Sequence, residues 1–183
     1  AGMIRAIVFD FDGVIANSEP LHFRGFRDVL RDEGVELAEA DYYHRYLGFD
    51  DAGAFAAMGH DNGRSWPVER IRAFVARKAG RMEELERDVS VLFPGARAAI
   101  ERLAAAWPLA IASGALKPEI LRVLEREQLT RHFRIVVAAE DTPVSKPAPD
   151  PYRLAVARLA GSIGEALQPG DCVAIEDSQW GLQ

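Results

Sequence analysis

Ile4 to Phe9 is a short apolar, β-branched run, and it closes on two carboxylates, Asp10 and Asp12, with Gly13 directly behind them. A run of that length and makeup reads as a strand buried on both faces, the kind found in a parallel sheet. Two acids at its carboxyl end are costly to bury unless a cation or hydrogen-bond donors compensate them. In open α/β sheets ligands bind outside the carboxyl ends of the strands, so Asp10 would point into that crevice. Gly13 permits a turn that a side chain would obstruct. For this stretch alone, a strand ending in a solvated acidic turn is the alternative.

The pattern changes behind Ile15. Glu19 to Glu33 carries Phe23, Phe26, Val29 and Leu30 at helical spacing. Short helices are expected over Glu39–Tyr46 and Asp51–Met58. A long amphipathic helix is expected from Pro67 through Val68, Ile71, Phe74, Val75, Met82 and Leu85. From about Asn17 to Asp88 no strand is expected. Beyond that point strand and helix alternate. Strands are predicted at Leu109–Ala112, Arg134–Ala138 and Cys172–Ile175. Helices are predicted at Ala96–Trp107, Pro118–Gln128 and from Asp150, read as an N-cap with Pro151 behind it, to about Ala160. The spacing therefore predicts an α/β core of residues 1–16 and 89–183 with a helical domain, 17–88, inserted after the first strand. Three strands end in polar groups, at Asp10, Ser113 and Glu176-Asp177, and right-handed crossovers bring those ends to one rim. Lys146 follows the third strand after a short loop.

Charge and cysteine usage narrow the partners. A net charge of −6 over 183 residues disfavours nucleic acid or an anionic membrane surface as the main partner. An anionic substrate would then need local positive charge from a metal or a lysine. The single cysteine, Cys172, cannot form an internal disulfide; it lies in an apolar run and reads as core packing. A reducing compartment, the cytoplasm, is expected, with no membrane span and no signal peptide before the first strand. Ala1-Gly2 before Met3 reads as an added remnant. A monomer is expected.

The residue types suit one chemistry. A carboxylate can attack phosphorus and form an aspartyl-phosphate, the role open to Asp10. Asp12, beyond the turn, could protonate the leaving oxygen and then activate water. Two acids also make half of a Mg²⁺ site, since Mg²⁺ takes hard oxygen ligands. The Ser113 hydroxyl with neighbouring backbone N–H groups can bind phosphoryl oxygens, although it could equally cap a turn. Few of the 22 basic residues are lysine, and Lys146 is held between Ser145 and Pro147. A point charge there would offset developing anionic oxygens; an exposed loop lysine is the alternative.

Four motifs in order, Asp10-Phe11-Asp12-Gly13-Val14-Ile15, Ser113-Gly114, Ser145-Lys146-Pro147-Ala148-Pro149-Asp150 and Glu176-Asp177-Ser178-Gln179-Trp180-Gly181, resemble those of the haloacid dehalogenase-like hydrolase superfamily. The resemblance spans nearly the whole chain. It implies a Rossmann-like parallel-sheet core with an inserted helical cap domain. It also implies a Mg²⁺ site made by Asp10, the Asp12 carbonyl, Asp177 and Glu176, the last through water. Ser113, with Gly114 and Ala115, becomes a phosphate contact, and Lys146 the charge partner of the nucleophile. His22, Arg45, Gly48, Phe49 and Lys78 are the candidate cap contacts to a small phosphorylated metabolite. His44, His60 and His132 read as structural.

Asp12 counts against a dehalogenase, since members that cleave carbon–halogen bonds usually lack that second acid. The first and fourth motifs look most like the β-phosphoglucomutase and sugar-phosphatase branch. Mutases of that branch carry an arginine after the first glycine loop of the cap. Here the loop is Gly48-Phe49-Asp50-Asp51, and like charge there would repel a second phosphate. A Mg²⁺-dependent sugar-phosphate phosphatase is thus expected over a mutase, provided Arg45 does not replace that arginine. Two other classes were weighed: a phospho-signalling receiver and a non-catalytic phosphate-binding module on the same scaffold. A receiver carries its acceptor mid-chain and has no helical insert. A module without activity has no reason to keep Asp10, Asp12, Ser113, Lys146 and Asp177 together. The family pattern continues past the fourth motif with a helix and a further strand, so the chain reads as truncated.

Overall fold

Four short strands, β1 (Ala6–Phe9), β2 (Leu109–Ala112), β3 (Phe133–Val137) and β4 (Cys172–Ile175), pair in parallel in the order β3-β2-β1-β4. The computed structural model describes residues 3–47, 49–87 and 89–178. Every residue of β1 and β2 is buried, as their uninterrupted apolar character requires. β1 starts two residues later than the apolar run predicts, and Ile4 stays 46% exposed. β3 is shifted one residue toward the N-terminus of its predicted span.

Three helices pack beside the sheet: α5 (Ala96–Ala104), α6 (Lys117–Arg126) and α7 (Asp150–Ile163). On one face Ala6, Val8, Ala110, Ala112 and Val137 meet Ala155, Val156 and Leu159 of α7. The alternate residues Ile7, Phe9 and Ile111 are buried on the other face, the period-2 consequence of the pleat. α7 departs from its predicted ends. Asp150 is its first helical residue, with Pro149 at the cap position. Pro151 still falls within the first turn, where no N–H is needed, and the Asp150 carboxylate suits the positive end of the helix. The helix runs three residues past Ala160 because Gly164, not Gly161, takes the left-handed conformation that stops it (φ 70°). Cys172 is half-buried rather than in the core: β4 pairs with β1 alone among the described residues, and its side chains are partly open to solvent.

The chain divides into two compact units, residues 1–18 with 91–183 and residues 19–90. Within the first unit the outgoing and returning segments run side by side. The Asn17 N–H donates to the Val91 carbonyl at 2.7 Å and the Phe93 N–H to the Ile15 carbonyl at 3.0 Å. That pairing lets 72 residues be inserted without disturbing the sheet.

The second unit is built from α1 (Glu19–Asp32), α2 (Glu39–Asp41), which runs into a π-helical turn over Tyr42–Tyr46, α3 (Asp51–Asp61) and α4 (Val68–Glu86). Its core is Phe23, Phe26, Val29, Leu30, Tyr42, Tyr46, Phe55, Met58 and Phe74. Aromatic rings meet edge to face, with Phe26 and Phe55 at 4.9 Å and Trp66 and Phe74 at 4.9 Å. Among the described residues no helix is long and apolar enough to cross a membrane.

Candidate active site

The order β3-β2-β1-β4 reverses direction beside β1. The chain lays β2 and β3 on one side and then crosses to place β4 on the other. A crevice opens at such a point, outside the carboxyl ends of the strands. Asp10 ends β1 there and Glu176-Asp177 ends β4. The Asp10 N–H donates to the Ile175 carbonyl at 2.9 Å, so the two ends are tied together.

One oxygen of Asp10, Oδ1, accepts from the Phe11 N–H at 2.7 Å and lies 3.0 Å from Lys146 Nζ. The same ammonium reaches Glu176 Oε1 at 2.6 Å. Carboxylate oxygens of Asp10, Glu176 and Asp177 gather within 4.8 Å of one another. Asp177 comes this close because residue 13 is glycine. A Cβ built on Gly13 would lie 2.0 Å from Asp177 Oδ2, and Gly13 also takes a left-handed φ of 78°. Sequence reasoning assigned Gly13 a turn; its second task is to leave room for a carboxylate.

Asp10 and Glu176 share one ammonium, and burial falls unevenly on them. Burial pushes Asp10 up to about 6; Lys146 pulls the other way and Glu176 adds to the rise. Glu176 moves down. Its burial works upward, but the hydrogen bonds from Lys146 and Tyr152 outweigh it. Tyr152 is raised well above the ordinary phenol range by burial and then by Glu176, so its hydroxyl stays a donor. The cluster carries more negative charge than Lys146 balances, and its donors are hard oxygens. This fits a divalent cation such as Mg²⁺.

The Asp12 carboxylate is held by its own turn. The Ile15 and Ala16 N–H groups both donate to the Phe11 carbonyl, at 2.9 and 3.0 Å, which folds residues 11–16 into a tight turn. The Ser18 hydroxyl donates to Asp12 Oδ1 at 2.8 Å. Ser113 ends β2, the strand beside β1, and is 2% exposed. Its Oγ accepts from the Ala115 N–H at 3.1 Å, the turn cap expected of a serine followed by glycine. Space beside Gly114 is open. The structure therefore joins Asp10, Lys146, Glu176 and Asp177 in one cluster. It places Ser113, Gly114 and Ala115 at the next strand end and holds Asp12 through Ser18.

In the helical unit Lys78 is 1% exposed. Its Nζ lies 2.5 Å from Asp51 Oδ1, 2.8 Å from His22 Nδ1 and 4.2 Å from the centre of the Phe26 ring. Burial, then Lys78, lower His22 to about 4 against the opposing pull of Asp51. The neutral ring can accept the lysine proton at Nδ1. Arg45 is paired with Asp61 at 2.5 Å and lies over the Tyr46 ring. Phe49 is 52% exposed. Gly48, and Gln179-Trp180-Gly181 of the fourth motif, lie outside the described residues, as does Ala1-Gly2.

Sequence reasoning missed Ser18, Tyr152 and the pairing of Asp51 with Lys78. Ser18 and Tyr152 each lie six residues beyond a motif residue, Asp12 and Lys146. Only the three-dimensional turn shows that they fold back onto it.

The model of the haloacid dehalogenase-like hydrolases matches residues 4–183, and the chain belongs to that family. It is 28% identical over 184 residues to the phosphorylated carbohydrates phosphatase of Thermotoga maritima, covering 98% of this chain and 79% of that one. It is 30% identical over 185 residues to hexitol phosphatase B of Escherichia coli K12, covering 98% and 78%. Among solved structures, CbbY from Rhodobacter sphaeroides in complex with phosphate superposes with a TM-score of 0.78 at 27% identity, covering 98% and 80%. These relatives place the chain among the phosphatases of the family.

Proposed function

We propose that this protein hydrolyses a small phosphorylated carbohydrate through an aspartyl-phosphate formed on Asp10, with Mg²⁺ as cofactor. The observation that carries the reading is the Asp10 carboxylate 3.0 Å from Lys146 inside a cluster of acids drawn within 4.8 Å. Asp10 attacks phosphorus while Asp12 gives a proton to the departing sugar oxygen. Asp12 then takes a proton from the water that attacks the aspartyl-phosphate, releasing inorganic phosphate and restoring Asp10. Lys146 offsets the charge on Asp10 and on the phosphoryl group. The Ser113 hydroxyl accepts from Ala115, which leaves its own proton to donate to a phosphoryl oxygen. The backbone N–H of Gly114 is a further phosphate contact, and Ala115 takes part by orienting the Ser113 hydroxyl through its own N–H. Asp10, Asp177 and the Asp12 carbonyl would hold Mg²⁺, with Glu176 acting through water. When bound, the ion draws charge from the phosphoryl oxygens.

The helical unit, in this reading, is the family's cap. His22, Gly48, Phe49 and Lys78 are its candidate contacts to the part of the substrate that leaves, Lys78 acting through His22 and Asp51. Its cations support a phosphatase over a mutase: Lys78 is matched by Asp51 and Arg45 by Asp61. A neutral polyol suits that surface better than a second phosphate. The single cysteine supports the cytoplasm as compartment and the acidic charge supports a small-molecule partner, acted on by a monomer.

A panel of phosphate esters assayed with Mg²⁺ tests the proposal. Wild type is expected to release phosphate from sugar or polyol phosphates, to stop when the metal is chelated, and to be inactive as Asp10→Asn and as Asp12→Ala. An active Asp10→Asn protein removes the nucleophile. Isomerised sugar phosphate formed in the presence of a bisphosphate replaces the phosphatase with a mutase.

A further inference from the structure

Tyr152 stands on the first turn of α7, six residues beyond Lys146. Its ring faces the Lys146 ammonium, with Nζ 4.9 Å from the ring centre. Its hydroxyl donates to Glu176 Oε1 at 2.9 Å, the oxygen that also receives Lys146 at 2.6 Å. The other oxygen, Oε2, accepts from the Ser178 N–H at 3.3 Å and the Ser178 hydroxyl at 3.2 Å. A carboxylate has about four lone-pair positions, and these donors hold it on both oxygens. The Glu176 side chain is fully shielded from solvent. It cannot rotate without giving up hydrogen bonds that water is not there to replace.

Lysine is a point charge on a flexible four-carbon stem, so its position depends on what surrounds it. Here Asp10 draws the ammonium from one side, Glu176 from another, and the Tyr152 ring supports it from beneath. With Glu176 loose, Lys146 could follow it away from Asp10. We propose that Tyr152 is a positioning residue for the reaction: its hydroxyl fixes the Glu176 carboxylate and its ring supports Lys146, which keeps the ammonium on Asp10. The inference rests on the reading of Asp10 and Lys146 given above.

Two variants separate the two contacts. Tyr152→Phe keeps the ring and removes the hydroxyl; Tyr152→Leu removes both. Four readouts apply to the whole chain: kcat and KM on a sugar phosphate, the Mg²⁺ titration, the melting temperature, and the rate at which acetic anhydride acetylates Lys146 in metal-free protein, read by peptide mass spectrometry. The expected kcat is about tenfold lower for Tyr152→Phe, the size of one hydrogen bond to a charged group, and lower again for Tyr152→Leu. KM and the Mg²⁺ midpoint should stay within about twofold: neither contact is made to substrate, and Asp10, Asp177 and the Asp12 carbonyl, which would hold the ion directly, do not depend on Tyr152. Lys146 should be acetylated faster in the same order, with the melting temperature little changed.

The acetylation needs neither metal nor turnover. Faster labelling in a protein that proves to lack phosphatase activity would support the positioning and remove only the chemistry. Unchanged labelling and unchanged kcat in both variants would overturn the proposal. So would a loss of activity that merely follows the folded fraction. A shifted Mg²⁺ titration with unchanged labelling would overturn it too, because Tyr152 would then serve the metal and not the lysine.

Discussion

Asp177 and Gly13 form a pair in which the smaller residue makes the larger one possible. Any side chain at position 13 would occupy the space of the Asp177 carboxylate, and it would meet a backbone at φ 78°. Gly13→Ala should therefore cost about 1–2 kcal/mol from the left-handed backbone alone. It should also weaken Mg²⁺ binding, measured by calorimetry, at least as much as Asp177→Ala does. Equal Mg²⁺ affinity in wild type and Gly13→Ala would show that Asp177 is not a ligand. The motif acids could be found in the sequence because each ends an apolar strand. Ser18 and Tyr152 could not: each is an ordinary residue of a helix start, and its partner is fixed by how the turn folds back.

At the scale of elements, two charge clusters, one partly exposed and one buried, hold loops and helices in place, and pH separates them. Asp141 follows β3. It lies 2.8 Å from Lys117 at the start of α6 and accepts from Arg158 of α7 at 2.8 Å and from the Ala138 N–H at 2.9 Å. Burial alone would raise its carboxyl, but these donors outweigh it and hold it far below the usual carboxylate range. A depressed carboxyl contributes stability above its unfolded value, near 4, and loses that contribution as pH falls further. Asp141→Asn should cost on the order of 2 kcal/mol in urea unfolding at pH 7, with the gap to wild type narrowing below about pH 4. A gap that does not change with pH would show that the charge is not what matters.

His22 works at the other end of the scale. In the folded helical unit it stays neutral down to about 4, while unfolded chains take up the proton near 6.5. The folded state thus loses stability as pH falls from about 6.5 to 4, by on the order of 3 kcal/mol if the full shift is realised. An NMR titration of the His22 ring should show a midpoint near 4. A midpoint near 6.5 would mean that the ring is not buried beside Lys78. The helices themselves were legible from their apolar spacing. The π-helical turn at Tyr42–Tyr46 and the pairing of Asp51 with Lys78 were not, because neither leaves a periodic signal.

For the whole molecule, an α/β core interrupted by helices could be read from where period-2 runs give way to helical spacing, and the family model covers that same length. That Asp10 and Glu176-Asp177 come together at one end of the sheet followed from strand ends alone. What the acids do to one another did not: burial raises Asp10 in spite of Lys146, while hydrogen bonds from Lys146 and Tyr152 lower Glu176 in spite of burial, and only the fold brings the shared lysine between them.

The account depends on phosphorus passing through Asp10. Rapid-quench mass spectrometry of the enzyme mixed with a sugar phosphate and Mg²⁺ measures that directly. The peptide that contains Asp10 should gain the mass of one phosphoryl group before free phosphate accumulates, and the same peptide of Asp10→Asn should gain none. Phosphate released at full rate with that peptide unmodified would contradict the account.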